Sequence, residues 1–259
     1  MNTVASTVDI HRSADRRHLR YGWLDAHHSF PMAGNFDLQE HAHGLLMAHN
    51  EDTVFAGEGF DTHPHEDMEI VTWVLSGSLV HQDSAGHSGL VRPGLAQRMG
   101  AGSGILHSER NDSIRAGGER VTDPVHLVQM WVPPNESGLA PEYQELDVTD
   151  ELASGRLVAV ASGLKRHSGD AAIGIRNRHT AFYAARLEAG QTVTAPEAPF
   201  VHVFVARGEV HMEGSGTLHQ GDAVRMTSTG GQRISAIDSA EVLIWEMHAG
   251  FARDATITP

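Results

Sequence analysis

"WVLSGSLVH" (Trp73–His81) lies over "FVARGEVHM" (Phe204–Met212), and "GLAQRM" (Gly94–Met99) lies over "GDAVRM" (Gly221–Met226), in the same order along the chain. Each block reads as strand, turn, strand: short apolar runs punctuated by glycine. The glycines anchor both matches, and between them the first copy is four residues longer, which suits a longer hairpin. Two matched blocks in one order argue for internal duplication of a β unit over chance similarity between glycine-punctuated strands.

The rest of the chain agrees with that reading. "EIVTWVLSG", "SLVHQD", "HLVQMWV", "RLVAVAS", "TAFYAARLEAG", "FVHVFVARGEVHM" and "AEVLIWEMHA" are short, apolar and bounded by glycine or polar residues. None carries a sustained helical period, and the frequent glycines favour strands over buried helix. The clearest break in composition is "VPPNESGLAPEYQEL" (Val132–Leu146), rich in proline and polar residues. We therefore expect an all-β chain with few short helices, built as two tandem antiparallel double-sheet barrels of the jelly-roll kind. The first domain is placed at residues 1–135 and the second at residues 136–259.

Composition narrows the function. The 259 residues hold 19 Lys+Arg against 33 Asp+Glu, a net charge of −14, which argues against attraction to nucleic-acid phosphates or anionic membrane surfaces. There is no cysteine, so disulfides, thiolate sites and cysteine nucleophiles are excluded, and any metal must be held by nitrogen and oxygen. Nineteen histidines are available for that task. The first residues lack the apolar core of a signal peptide and no stretch reaches the ~18 apolar residues of a membrane span, so a cytoplasmic protein is expected.

The histidines are not scattered evenly. "GFDTHPHEDMEIVTWVLSG" (Gly59–Gly77) sets His63 and His65 on either side of Pro64. Side chains at i and i+2 of a strand share a face, so both imidazoles can converge on one point. "GAGSGILHSERN" (Gly100–Asn111) offers His107 and Glu109 at the same spacing. Three imidazoles and a carboxylate suit iron, manganese, zinc, nickel or copper, and leave open positions for catalysis. The second copy supplies an internal control. Through Gly77–Gly208, His63, His65 and Glu69 fall opposite Thr194, Pro196 and Phe200; through Met99–Met226, His107 and Glu109 fall opposite Ile234 and Ala236. The ligand set is an addition to one barrel, because a metal-free polar interior holding these four groups would be costly to bury.

On "YGWLDAHHSF" (Tyr21–Phe30), "GFDTHPHEDMEIVTWVLSGSLVHQDSAGHSG" (Gly59–Gly89) and "RPGLAQRMGAGSGILHSERN" (Arg92–Asn111), the chain resembles the pirins, and most closely their bacterial quercetin dioxygenase-like branch. The resemblance covers most of residues 12–135 and the remainder more loosely. It implies two cupin domains, with one divalent metal per chain, usually Fe2+, held by His63, His65, His107 and Glu109. Mn, Ni, Cu, Zn and Co are the alternatives. Cupins in general take their carboxylate from the first motif, where Glu69 stands. The pirin pattern takes it from Glu109, and we expect Glu69 to orient a ligand histidine by hydrogen bonding. Two departures stand out: Gly102 replaces the family's usual proline, and "HHSFPM" (His27–Met32) replaces a more aromatic segment.

The other histidines are read structurally. His41 and His43 are expected in a surface loop, and His27 and His28 as partly buried framework residues in preference to lining the pocket mouth. On "HLVQMWV", alternation turns inward either His126, Val128 and Met130 or Leu127, Gln129 and Trp131, without choosing. The functional expectation is a dioxygenase joining molecular oxygen to a flavonol-like aromatic substrate, with Glu109 both ligand and proton acceptor. The alternative is a metal- or redox-sensing interaction protein of little or no turnover, acting through a protein partner and not by contacting nucleic acid directly. An isomerase or lyase on the same barrel is a third reading, distinguished by the absence of oxygen uptake.

Overall fold

The computed structural model describes residues 6–31, 37–112, 114, 122–169 and 172–251. In chain order the first strands are β1 (Thr7–His11), β2 (Arg17–Arg20), β3 (Leu24–His28), β4 (Ala48–Val54), β5 (Gly59–His65) and β6 (Glu69–Ser76). They are followed by β7 (Leu79–Asp83), β8 (Ser88–Val91), β9 (Leu95–Gly100), β10 (Ile105–Arg110), β11 (Val125–Val132) and β12 (Glu142–Asp147). The second half contains β13 (Val158–Ser162), β14 (Ile173–Gly174), β15 (Thr180–Leu187), β16 (Thr192–Thr194) and β17 (Ala198–Arg207). It ends with β18 (Glu209–Met212), β19 (Gly216–His219), β20 (Ala223–Thr229), β21 (Arg233–Ala236) and β22 (Ala240–Met247). The α-helices among the described residues, α1 (Leu38–His41) and α2 (Thr149–Leu152), are single turns.

The strands form two sandwiches. One pairs a seven-stranded sheet, β12-β9-β6-β11-β4-β3-β2, with a four-stranded sheet, β5-β10-β7-β8. The other pairs β1-β20-β17-β22-β15-β13-β14 with β16-β21-β18-β19. Neighbours pair antiparallel except β13 with β14. The duplicated blocks become β6–β7 and β17–β18, and their turn glycines share one backbone state, φ +76 at Gly77 and +71 at Gly208. That left-handed region is open to glycine at little cost, which is why the motif keeps it in both copies. Two strands sit with the opposite half: β1 pairs with β20, and β12, beyond residue 136, pairs with β9.

The two seven-stranded sheets pack on each other, so their central strands are buried on both faces. β6 is buried from Glu69 to Leu75 and β22 throughout. Alternate residues then serve different cores. Val71, Trp73 and Leu75 join Val128, Met130 and Val132 against Phe182, Phe204, Leu243 and Trp245 at the seam between the halves. Trp73 donates its indole N–H to Glu241 of the other half at 2.7 Å. Ile70 and Val74 point the opposite way, into the first sandwich. The second sandwich is filled by an apolar cluster that includes Val193, Ala195, Val210, Met212, Ile234 and Ala236. Among the described residues no helix is long and apolar enough to cross a membrane.

Candidate metal centre

β5 and β10 lie side by side, and their antiparallel register sets His107 opposite His63. The two-residue period of β5 keeps His63 and His65 on one face, with Pro64 turned outward. A register shift between His107 and Glu109 marks a β-bulge. Such a bulge re-aims side chains, and both residues are turned inward, 1% and 2% exposed. The donor nitrogens of His63, His65 and His107 lie within 4.8 Å of one another. Their ring centroids are 4.4 to 4.9 Å apart. Glu109 adjoins this trio through His107, with which it forms a second group that includes His81 of β7. His81 was not among the expected site residues; its signal is the i, i+2 pair it makes with Asp83, the same spacing that marks the other motifs.

Burial favours the neutral form of His65 and His107. His63 Nδ1–H donates to the Asp61 carbonyl at 2.7 Å, which leaves Nε2 with its lone pair. That atom faces His107 Nε2 at 3.1 Å. His65 Nε2, His107 Nδ1 and His81 Nδ1 are buried without a hydrogen-bond partner. Burial, reinforced by His63, lowers His65 to about 4 against the pull of Glu109. Burial also brings His107 to about 4, opposed by Glu109 and reinforced by His63, His65 and His81. Glu109 goes the other way for a carboxylate: burial alone would raise it, but His107, His81, Gln129 and His63 together hold it below its ordinary value. Three imidazoles converging on one point beside a carboxylate fit a divalent transition ion, which needs deprotonated ligands and would satisfy the facing nitrogens.

Glu109 is also held in orientation. Gln129 Nε2 donates to both its oxygens, at 3.0 and 2.7 Å, and Thr72 Oγ1 donates to Oε1 at 3.3 Å. Trp131 Nε1 in turn donates to Gln129 Oε1 at 3.0 Å, and the Trp131 ring meets His65 edge-on at 5.0 Å. The alternation on β11 is thereby decided: Leu127, Gln129 and Trp131 face the first sandwich, and Val128 and Met130 face the seam.

A cavity of about 300 Å³ opens beside these groups. Leu19, Leu24, Ala26, Phe60 and Trp131 give it a mainly apolar wall, and His63, His65, Glu109 and Gln129 line one side. Tyr21, His28, Asn50 and Asp52 complete the lining. Burial first, then the Glu109 and Glu51 carboxylates, push Asp52 up to about 7 despite Arg16.

Several expectations are corrected by this geometry. Glu69 does not orient a ligand histidine. On β6 it shares the face of Val71 and Trp73, away from the cavity, where Arg98 Nε lies 3.5 Å from it and the Arg176 backbone N–H donates to it at 3.2 Å. His43 is not a surface residue: it is 9% exposed, and its Nε2 bonds the Val201 carbonyl at 3.0 Å across the seam. His28 lines the cavity, the less favoured of its two expected places. The half-to-half alignment slips by one on β16, because Val193 and Ala195 face the second interior while Thr194 is exposed. Gly102 adopts φ +49, a conformation proline cannot take, and a Cβ there would lie 2.0 Å from the Leu139 carbonyl. Met32 of "HHSFPM" lies outside the described residues.

Residues 10–132 match the pirin family, and residues 160–247 match the quercetinase C-terminal cupin domain. A Mycobacterium tuberculosis H37Rv protein, provisionally named a quercetin 2,3-dioxygenase, is 49% identical over 253 residues, covering 98% of this chain and 100% of its own length. The chain belongs to the pirin family. Among other pirin relatives, the quercetin 2,3-dioxygenase of Escherichia coli K12 is 41% identical over 138 residues, 53% of this chain and 57% of that protein. The crystal structure of the Escherichia coli pirin YhhW in complex with nickel(II) aligns over 94% of this chain and 100% of that one, with a TM-score of 0.80 at 29% identity. As a pirin, the chain has two cupin domains and a histidine-rich potential metal site in the first.

Proposed function

We propose that this pirin is a metal-dependent dioxygenase acting on a flavonol-like aromatic substrate, with His63, His65, His107 and Glu109 holding one divalent ion. The observation that carries the reading is a converging three-histidine cluster with an ionised, fixed carboxylate on the wall of a mainly apolar cavity. The quercetin dioxygenase names of the relatives and the nickel(II) complex of a pirin support it. Fe2+ is our choice of resident ion, with Mn, Ni, Cu, Zn and Co as the ions to compare. A bound ion would supply Lewis acidity toward a substrate hydroxyl and access to redox chemistry with oxygen.

The protein's own groups do the rest. Phe60, Leu24 and Trp131 flank a planar aromatic and keep water from it. Glu109, ionised and aligned by Gln129, receives the hydroxyl proton at a carboxylate oxygen. The resulting enolate carbon is then the electron-rich centre that oxygen attacks.

The test is oxygen consumption with quercetin by protein loaded in turn with each ion, rate being normalised to measured metal. Uptake coupled to loss of the flavonol absorbance is expected with at least one ion. Loss of the flavonol without oxygen uptake would point to a lyase or isomerase, and the absence of any reaction across all ions would overturn the enzyme reading in favour of a metal-sensing interaction protein.

A further inference from the structure

β4 carries an anomaly. Its even positions, Asn50 and Asp52, face the cavity, 6% and 5% exposed, and the Oδ1 atom of each is buried without a hydrogen-bond partner. Native interiors seldom leave such acceptors alone, because an unpaired buried polar atom costs stability. Asp52 has no structural ion pair among the described residues. The cation that acts on it, Arg16, is already bonded to Glu51 at 2.5 Å and to the His27 carbonyl at 2.7 Å. The neighbouring carboxylates, Glu51 and Glu109, only add repulsion.

We infer that Asp52 and Asn50 form a substrate-recognition wall that accepts hydrogen bonds from hydroxyl groups on the part of an aromatic substrate turned away from the histidines. The inference rests on the proposed use of this cavity for an aromatic substrate and adds what that substrate must carry. No lysine or arginine lines the cavity, while Asp52 and Glu109 do. At the wall turned away from the histidines, a carboxylate, phosphate or sulfate group would therefore meet the Asp52 carboxyl with no lysine or arginine beside it to compensate. The apolar residues accept a planar ring, and the unpartnered oxygens demand O–H donors. A neutral polyhydroxylated aromatic satisfies both; a singly hydroxylated one reaches the metal side and leaves the wall unpaired. Ionised or protonated, the Asp52 carboxyl keeps an acceptor oxygen, so recognition does not depend on its charge state.

Anaerobic titration calorimetry of the metal-loaded protein tests this with two probes, quercetin and 3-hydroxyflavone, which share the hydroxyl beside the carbonyl but differ in hydroxyls on the outer rings. The native protein should prefer quercetin. Asp52→Leu should weaken quercetin about 10- to 100-fold and change 3-hydroxyflavone by about 2-fold or less, whereas Asp52→Asn, which keeps an acceptor, should retain most of the preference. A second readout separates recognition from a structural role: relieved of an unpaired buried carboxyl, unliganded Asp52→Leu should melt at or above the native temperature. Equal weakening of both probes, a melting temperature that falls while the preference persists, or failure of the native protein to bind quercetin more tightly than 3-hydroxyflavone overturns the inference. Oxygen uptake is scored separately. Selective binding without turnover leaves this inference standing and removes the dioxygenase reading; turnover without selectivity does the reverse.

Discussion

Glu109 and Glu69 show how residues of one type, both drawn from the ligand motifs, come to do different work. Glu109 lies 2% exposed among His107, His81 and Gln129, and Glu69 lies 1% exposed beside Arg98 on the other face of its sheet. Glu109→Gln keeps size and one oxygen donor but removes the basic carboxylate. We expect partial loss of metal, since three imidazoles remain, and turnover per bound metal lower by ~10²-fold or more. Native turnover per metal in that variant would show that Glu109 is not the proton acceptor. Glu69→Ala, by contrast, should leave metal content at the native level while costing about 1–3 kcal/mol of stability, because it removes one of the two carboxylates, Glu69 and Glu142, that flank the buried Arg98 guanidinium. Metal analysis beside urea unfolding checks both halves of that expectation. That His63 and His65, and His107 and Glu109, could share strand faces was legible from spacing alone; which carboxylate belonged to the cavity was not. Parity along β6 was readable, but the side of the sheet that faces the ligands depends on its packing partners.

Among the elements, the duplicated hairpins carry the clearest prediction. Gly77 and Gly208 hold equivalent turns, but a Cβ would meet the Pro124 carbonyl at 2.9 Å in the first and the Ser239 carbonyl at 2.2 Å in the second. Both alanine variants pay the left-handed backbone cost of ~1–2 kcal/mol, and Gly208→Ala adds a collision with fixed backbone. Thermal melting should therefore rank Gly208→Ala below Gly77→Ala, with each kcal/mol shifting the midpoint by about 2–4 °C. The reverse order would mean that the Ser239 segment yields more readily than the Pro124 segment. β4 was the element that sequence patterning did not reveal. "HNEDT" (His49–Thr53) has no apolar residue, yet the strand is buried at every position except Thr53. Asn50 and Asp52 turn to the cavity, while His49 and Glu51 turn to the seam, where Phe204 and Arg16 receive them.

At the scale of the whole molecule, the seam between the halves holds an acid-sensitive histidine cluster. His49 and His202 are fully buried with ring centroids 4.9 Å apart, and none of their ring nitrogens has a hydrogen-bond partner. Burial, then Arg16, lowers His49 to about 3; burial, then Arg225, lowers His43 to about 4. Burial, then His49 and Arg225, holds His202 well below its ordinary value. Each group refuses in the folded state a proton that the unfolded chain accepts below about pH 6.5. Stability from this source is thus complete above that pH and is lost as the pH falls toward the folded values. Three such groups give a slope of up to ~4 kcal/mol per pH unit between pH 6 and 4. Urea unfolding at pH 7, 6 and 5 measures it, and His49→Leu should flatten it by ~1.4 kcal/mol per unit. Equal slopes in both proteins would detach acid sensitivity from the seam.

Two properties of this protein follow from its sequence without any structure: the repeat that makes two β sandwiches, and the H-x-H and H-x-E spacings that put His63, His65, His107 and Glu109 on shared strand faces. Both are local, set by a two-residue period and by glycine turns that every copy must obey. The tertiary structure decided which faces look inward. It placed His81 beside Glu109, chose Gln129 over Val128, turned Glu69 toward Arg98 and buried the polar strand β4. It also sent β1 and β12 to the opposite halves. Those outcomes depend on which sheet packs against which, and a polar residue on a strand reads as solvent-facing until a cavity, an ion or a second domain lies beside it.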